Sequence, residues 1–215
     1  MTANALEVRD LSCTVGNRTL FKSLGFSLDS GRWVMLTGAN GTGKSTLLRI
    51  LAGLVAPTGG EVCWQGAPRG AHDPDWHASF VYQGHSSGWK DQLSTRENLA
   101  MQAWLDMPDS APAQREQAVD RSIERLGLGR QRHLPFARLS AGQRRRLGLA
   151  RLPMSSRPLW LLDEPTTALD AAGQQLFASI LDEHLQGGGC AIVATHLELP
   201  TASPAQPLRL GADGA

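Results

Sequence analysis

The chain has 215 residues, 41% of them hydrophobic, which is enough to fill the core of one substantial domain. Its 21 basic and 20 acidic side chains leave a formal net charge of +1, which argues against binding to nucleic acid or to an anionic membrane surface. The widely spaced Cys13, Cys63 and Cys190 form no CxxC pair and predict free thiols in a reducing compartment.

The first part of the chain predicts short strands followed by a strand–loop–helix unit. The N-terminal residues carry no signal pattern, and no apolar run reaches the ~18 residues of a membrane-spanning helix, so we expect membrane contact only through a partner. Short apolar segments between Leu6 and Trp33 are broken by glycine-containing turns and predict small strands. Residues 34–37 are apolar, residues 38–43 are rich in glycine, and residues 45–52 have helical composition.

The second part predicts a helical insertion and two buried strands. Residues 80–82 predict a strand, and a helical pattern punctuated by prolines then extends to about residue 152. Residues 159–162 and 191–194 are continuously apolar, as expected of parallel strands buried on both faces, with a helical pattern between them. The tail after Pro200 predicts little regular structure. We therefore expect one α/β domain spanning residues 1–215, with a helical insertion at about 86–152.

A phosphate-binding loop is predicted by residues 38–45, which match the pattern GxxxxGK[ST] between a strand and a helix. Glycines let consecutive backbone N–H groups turn inward around phosphate oxygens. Lys44 would contact the β- and γ-phosphates of ATP, and the Ser45 hydroxyl would ligate Mg²⁺. An ordinary glycine-rich turn before a helix is the alternative. The predicted nucleotide ligands are Gly38, Ala39, Asn40, Gly41, Thr42, Gly43, Lys44, Ser45 and Thr46.

Two carboxylates, Asp163 and Glu164, follow the apolar strand at 159–162. Such a strand would deliver Asp163 beside the phosphate loop, where it can hold Mg²⁺. Glu164 can orient the attacking water and partly deprotonate it. A solvated turn would also explain an acidic pair, but the upstream phosphate loop makes ATP hydrolysis the better interpretation.

The segment LSAGQ at residues 139–143 resembles the LSGGQ signature of ABC ATPases, with Ala141 replacing the first of the paired glycines. A D-loop-like segment at 168–170 and a switch histidine, His196, follow in the family's order. The resemblance implies a P-loop NTPase of the ABC type, with a RecA-like core, a small antiparallel β subdomain and a helical subdomain that carries the signature.

The same resemblance implies a head-to-tail homodimer that holds two ATP molecules between its subunits. Ser140 and Gly142 of one subunit, with Gln143 beside them, would contact the γ-phosphate bound by the partner's loop. Ser140 can also cap the following helix, whose positive dipole end would then face the phosphate. His196 would contact the same γ-phosphate and link hydrolysis to opening of the dimer.

Several stretches further resemble the CcmA family, the ATP-binding subunits of transporters for haem export or cytochrome c maturation. They are residues 60–66, 84–85, 88–90, 93–94, 143–147, 149–152 and 159–165. This resemblance implies two such subunits bound to two integral-membrane CcmB-type subunits, peripherally on the cytoplasmic side of the bacterial inner membrane. Another small bacterial ABC exporter is the alternative. A soluble ABC ATPase acting on DNA or ribosomes would need a second ATPase domain or a long coiled coil, and a small-molecule P-loop kinase would lack the signature.

Three roles stay open at this point. The glutamine that follows a strand in this family is matched by Gln83 in residue type, whereas counting back from Glu97 favours His85. The alternative is that both residues merely end the strand. The arginine run at 144–146 predicts a solvated helix face, or one arginine packed against the nucleotide-facing surface. The family often stacks adenine on an aromatic residue near the position of Val15, where this chain has none, which leaves base selectivity open.

Overall fold

The computed structural model describes residues 5–84 and 88–211. Within these residues the strands are β1 (Leu6–Val15), β2 (Arg18–Leu28), β3 (Trp33–Thr37), β4 (Gly59–Trp64), β5 (Ala67–Pro68), β6 (Phe80–Gln83), β7 (Leu159–Asp163), β8 (Cys190–Ala194) and β9 (Gln206–Arg209). The helices are α1 (Lys44–Leu51), α2 (Pro74–Ser79), α3 (Thr95–Asp106), α4 (Pro112–Arg125), α5 (Ala141–Ala150) and α6 (Ala171–Gln186). Short 3₁₀ helices lie at Gly129–Gln131, Phe136–Arg138 and Leu152–Met154.

The strands form one antiparallel and one parallel sheet. The antiparallel sheet has the order β2-β1-β4-β5, and the parallel sheet has the order β6-β7-β8-β3-β9. In the parallel sheet Asp163 of β7 and Leu36 of β3 both pair with Ala194 of β8. The carboxyl ends of these three strands therefore lie side by side, and the segments that follow them meet at one edge, which is where open α/β sheets bind ligands.

Both faces of the parallel sheet are buried, which explains its continuously apolar strands. Leu161 and Ile192 face a core shared with α1 and the antiparallel sheet. Their neighbours Leu162 and Val193 face a second core, shared with helices α3 to α6. Because successive side chains of a strand point to opposite faces, apolar residues are required at every position of β8 and at the first four positions of β7.

The expectation of an irregular tail after Pro200 is wrong. Residues 206–209 form β9, which pairs in parallel with β3 from Val34↔Gln206 to Thr37↔Arg209. Pro207 is tolerated because β9 is the edge strand and needs no ladder hydrogen bond on its outer side. Leu210, which follows β9, is buried, and its N–H donates to the carbonyl of Thr37. The tail therefore closes the sheet beside the strand that leads into the phosphate loop.

The helices between β6 and β7 are fixed by a capping box and a buried ion pair. Ser94 Oγ accepts from the N–H of Glu97, whose carboxylate accepts from the N–H of Ser94, so α3 begins at a satisfied cap. At the other end of α3, the fully buried carboxylate of Asp106 accepts two hydrogen bonds from Arg151. Arg151 also donates to the carbonyl of Tyr82 at 3.2 Å. This contact ties the helical segment to β6.

Across residues 5–84 and 88–211, no helix combines the length and the apolar character that a membrane crossing requires.

Candidate active site

The predicted phosphate loop lines a cleft of about 740 Å³ at the carboxyl edge of the parallel sheet. The loop joins β3 to α1, and the acidic pair after β7 and the residue after Thr195 reach the same cleft. The lining residues are Val15, Arg18, Leu20, Asn40, Gly41, Gly43, Lys44, Ser45, Thr46, Asp163, Glu164, Thr167 and His196. The structure thus brings together the loop, the carboxylates and the histidine that were predicted from separate parts of the sequence.

Glycine is required at two ends of the loop. Gly38 has φ +146°, and a Cβ there would lie 2.1 Å from the carbonyl oxygen of Leu210. Gly43 has φ +105°, and its Cβ would lie 3.2 Å from Cβ of Leu20. Gly43 is also the N-cap of α1 and offers no capping side chain, so the first N–H groups of the helix lack a side-chain acceptor. An anion is the partner that such a helix start favours.

Lys44 supplies a positive charge within the cleft. Its side chain is buried, and Nζ donates to the carbonyls of Gly38 at 2.7 Å and Ala39 at 3.2 Å. No carboxylate among the described residues lies within ion-pair distance of Nζ. The charge is therefore held over the loop by neutral carbonyl groups, which leaves it free to attract a phosphate.

Asp163 and Ser45 fit a magnesium site. Asp163 ends β7 and is 3% exposed, and its Oδ2 is buried without a hydrogen-bond partner among the described residues. A buried carboxylate oxygen with no partner is costly unless a cation or a water binds it. The Ser45 side chain lines the same cleft. A carboxylate and a hydroxyl beside a phosphate site are the ligands that Mg²⁺ prefers.

Glu164 lies nearer the mouth of the cleft than Asp163. Its side chain is 24% exposed, and Oε1 lies 3.5 Å from Nε2 of His196, which is half exposed. Its backbone is in the left-handed region with φ +52°, and its N–H donates to the carbonyl of Ala194 at 2.9 Å. The turn therefore directs an accessible carboxylate into the cleft, whereas Asp163 stays buried. This difference suits Glu164 for contact with water.

The two candidates for the glutamine position have different outcomes. His85 lies outside the described residues. Gln83 ends β6 and lines a second cavity of about 410 Å³, together with Trp89, Arg145 and Gly148, and not the cleft of the phosphate loop. Gln83 Oε1 is buried without a described hydrogen-bond partner. A buried amide oxygen in this position is ready to accept a bond from water or from a group that enters the cavity.

The signature residues do not reach the phosphate cleft of their own chain. Ser140 is the N-cap of α5, and its capping box with Gln143 has distances of 2.9 and 3.3 Å. Ser140, Gly142 and Gln143 line a third cavity, of about 360 Å³, which includes the D-loop-like residues 168–170. A Cβ on Gly142 would lie 3.2 Å from the carbonyl oxygen of Ala168. The signature and the D-loop-like segment therefore form one surface, separate from the loop.

One wall of the cleft was not predicted from the sequence. Arg18 and Leu20 of β2 line the cleft beside Val15, which is 57% exposed. Arg18 pairs with Val15 across the two-residue turn at 16–17, and a hairpin turn of this kind was the signal that could have placed it there. Aliphatic side chains and a guanidinium group thus form the wall in the region where the family often has an aromatic residue.

A family model described as "ABC transporter" matches residues 21–167. The cytochrome c biogenesis ATP-binding export protein CcmA of Paramagnetospirillum magneticum is 44% identical over 200 residues, which cover 93% of this chain and 91% of the relative. The chain belongs to the CcmA family of ABC transporter proteins. The CcmA protein of Haemophilus influenzae is 41% identical and is matched over 96% of this chain and 95% of its own length.

Solved ABC ATPase structures have the same fold. A putative ABC transporter ATP-binding protein from Pyrococcus furiosus superposes with a TM-score of 0.80 over 95% of this chain and 96% of that chain, at 22% identity. A dimeric ATP-binding cassette in a post-hydrolysis state with ADP and Pi superposes with a TM-score of 0.78 at 22% identity, over 89% of this chain and 88% of that chain. These likenesses confirm the predicted ABC ATPase fold, and the CcmA relatives confirm the predicted family.

Proposed function

We propose that the whole chain, residues 1–215, is one ATP-binding domain that hydrolyses Mg-ATP as half of a head-to-tail dimer. The dimer would drive an export step of cytochrome c biogenesis. The observation that carries the proposal is the separation of two half-sites in one chain. The phosphate loop, Glu164 and His196 line one cleft, whereas Ser140 and Gly142 line another.

A two-fold dimer completes both half-sites at once. In a two-fold interface a contact between one surface of the first subunit and another surface of the second is repeated with the subunits exchanged, so the signature of each chain can close the phosphate cleft of its partner. Ser140 caps α5 with its side-chain oxygen, and the positive end of the α5 dipole lies at the same place. That end would stabilise the γ-phosphate of the nucleotide held by the partner.

The residues of one cleft have different roles in ATP hydrolysis. Lys44 and the N–H groups at the start of α1 would bind the phosphates, and Ser45 and Asp163 would hold Mg²⁺, which would supply positive charge against the phosphate oxygens. Glu164 would accept a proton from the attacking water as the water oxygen bonds to the γ-phosphorus and the bond from that phosphorus to the leaving ADP oxygen breaks. His196, whose Nε2 lies 3.5 Å from Oε1 of Glu164, would contact the same phosphate.

The membrane partners are two integral-membrane CcmB-type subunits, and the chain lies peripherally on the cytoplasmic side of the bacterial inner membrane. The balanced charge of this chain supports contact through protein, and not through anionic lipid or nucleic acid. The cavity beside Gln83 supports a docking role for Trp89, which is half buried and lines the same cavity. Movement of a membrane partner at this cavity would reach Gln83 directly.

The head-to-tail arrangement is tested by mixing two inactive variants. Lys44→Ala breaks the phosphate site, and Ser140→Asp keeps an N-cap side chain but sets a negative charge against the γ-phosphate. Each variant alone should be inactive, and the mixture should recover phosphate release, because each mixed dimer contains one intact composite site. Ser94→Asp, at the equivalent cap of α3, is the matched control and should stay active. A mixture as inactive as its components would contradict the head-to-tail dimer.

The glutamine role is tested by His85→Ala, His85→Gln and Gln83→Ala. We expect His85→Ala to lose ATPase activity and to fail in complementing cytochrome c production. His85→Gln should keep much of both, with a flatter activity profile near pH 6 to 7, because the amide does not titrate there. Gln83→Ala should be mild. A severe Gln83→Ala beside a silent His85→Ala would assign the role to Gln83, whose buried Oε1 has no described partner.

A further inference from the structure

Arg145 lies on α5, five residues after Ser140, and its guanidinium reaches the turn that carries Glu164. Nε donates a hydrogen bond to the carbonyl of Pro165 at 2.8 Å, and Nη2 donates one to the carbonyl of Asp163 at 3.2 Å. The two acceptors are the backbone groups on either side of Glu164. The side chain therefore holds the turn from both ends.

The turn needs such a restraint because Glu164 is strained. A φ of +52° is rare for a residue with a β-carbon, and the backbone would relax to a commoner conformation if nothing held it. The N–H of Glu164 is fixed by the carbonyl of Ala194 at 2.9 Å. Arg145 bonds to the carbonyl of Asp163, which belongs to the same peptide group as that N–H, and to the carbonyl of Pro165, one peptide group beyond Glu164. The carbonyl of Glu164 itself accepts from the N–H of Thr167 at 3.2 Å, so Arg145 restrains the turn through the flanking residues Asp163 and Pro165.

The guanidinium of Arg145 bonds to backbone carbonyls, and not to a described carboxylate. Its side chain is partly buried, and no described carboxylate forms an ion pair with it. Burial lowers the pKa of Arg145, and the charges of Asp163 and Glu164 act in the opposite direction. The two neighbours in the run are engaged elsewhere, since Arg144 donates to Leu139 and Ala137 and Arg146 pairs with Asp170. Arg145 alone of the run faces the catalytic turn.

We propose that Arg145 is a positioning residue that clamps the backbone around Glu164 and so aims its carboxylate into the nucleotide cleft. The planar guanidinium presents several donors in a fixed fork, so it can bond both carbonyls at once, which an ammonium group does less well. The clamp also joins Glu164 to the helix that begins at the signature. The inference rests on the proposed hydrolysis of ATP by Glu164.

The test compares Arg145→Gln and Arg145→Lys in steady-state ATPase assays, with nucleotide affinity and thermal unfolding measured on the same samples. Arg145→Gln should lower kcat by about 10- to 100-fold with KM changed less than about threefold, because a small misplacement of a base slows the chemical step more than binding. Arg145→Lys should fall between Arg145→Gln and the wild type. Nucleotide affinity close to that of the wild type shows that the variants are folded.

A double-mutant cycle distinguishes a positioning role of Arg145 from a general loss of packing. In a Glu164→Gln background, where the base is already absent, adding Arg145→Gln should change the residual single-turnover rate by less than about twofold. Arg115→Gln is the matched control, because Arg115 is a buried helical arginine that likewise donates to two backbone carbonyls, at 3.1 and 3.2 Å, on α4 away from the cleft. It should leave kcat unchanged.

The outcomes separate this inference from the proposed function. An active wild type with an unchanged kcat in Arg145→Gln would overturn the clamp alone. An equal loss in both backgrounds, or an equal loss in Arg115→Gln, would also overturn it. A wild-type chain that does not hydrolyse ATP would overturn the proposed function and the clamp together.

Discussion

Replacing Glu164 with glutamine is expected to lower ATP turnover by about 10²- to 10⁴-fold, which is the usual contribution of a general base. The amide has nearly the same shape, and the backbone bond from Glu164 to the carbonyl of Ala194 is unaffected. Phosphate binding by Lys44 and the environment of Asp163 should therefore persist. We expect the variant to bind Mg-ATP, to fail in cleaving it and to accumulate as an ATP-bound dimer.

Phosphate release and size-exclusion chromatography with and without Mg-ATP measure the two halves of this prediction. Glu116→Gln is the matched control, because Glu116 is exposed on α4 and lines no part of the nucleotide cleft. It should keep wild-type turnover and dissociate after hydrolysis. A Glu164→Gln chain that stays monomeric in Mg-ATP would contradict the sandwich dimer, and normal turnover would remove Glu164 from the role of base.

The parts of the site that the sequence could predict are local patterns with a fixed geometric result. A strand, a glycine-rich turn and a helix place Lys44 and Ser45 relative to one another within a few residues. An apolar strand that ends in Asp163 and Glu164 delivers them to the same edge, because parallel strands share their carboxyl ends. For these residues the spacing along the chain nearly determines the arrangement in space.

Other features depend on contacts between distant segments. The run at 144–146 contains three identical side chains, and only the rotation of α5 against the turn after β7 selects Arg145 for the contact with Asp163 and Pro165. The strand β9 was missed because a four-residue edge strand that contains Pro207 has almost no local signal. It forms because residues 34–37 offer an unpaired edge next to it. Tertiary pairing decides such elements.

Replacing Lys44 with alanine is expected to abolish turnover, because it removes the positive charge that we propose binds the phosphates. Nζ is held by the carbonyls of Gly38 and Ala39 and has no described carboxylate partner, so its loss leaves no unpaired acid behind. The folded chain should therefore survive. Loss of one strong donor in an enclosed site costs about 10² to 10³ in rate, and the loss of a full charge should lie at or beyond the upper end.

A combined variant makes this prediction sharper. Glu164→Gln should trap a dimer in Mg-ATP, but Lys44→Ala together with Glu164→Gln should stay monomeric, because the sandwich needs a nucleotide bound in the loop. Size-exclusion chromatography and binding of a fluorescent ATP analogue check both statements. Lys22→Ala, at an exposed position on β2, is the control and should still dimerise in the Glu164→Gln background. Dimerisation of the double variant at the same nucleotide concentration would show that Lys44 does not hold the phosphates.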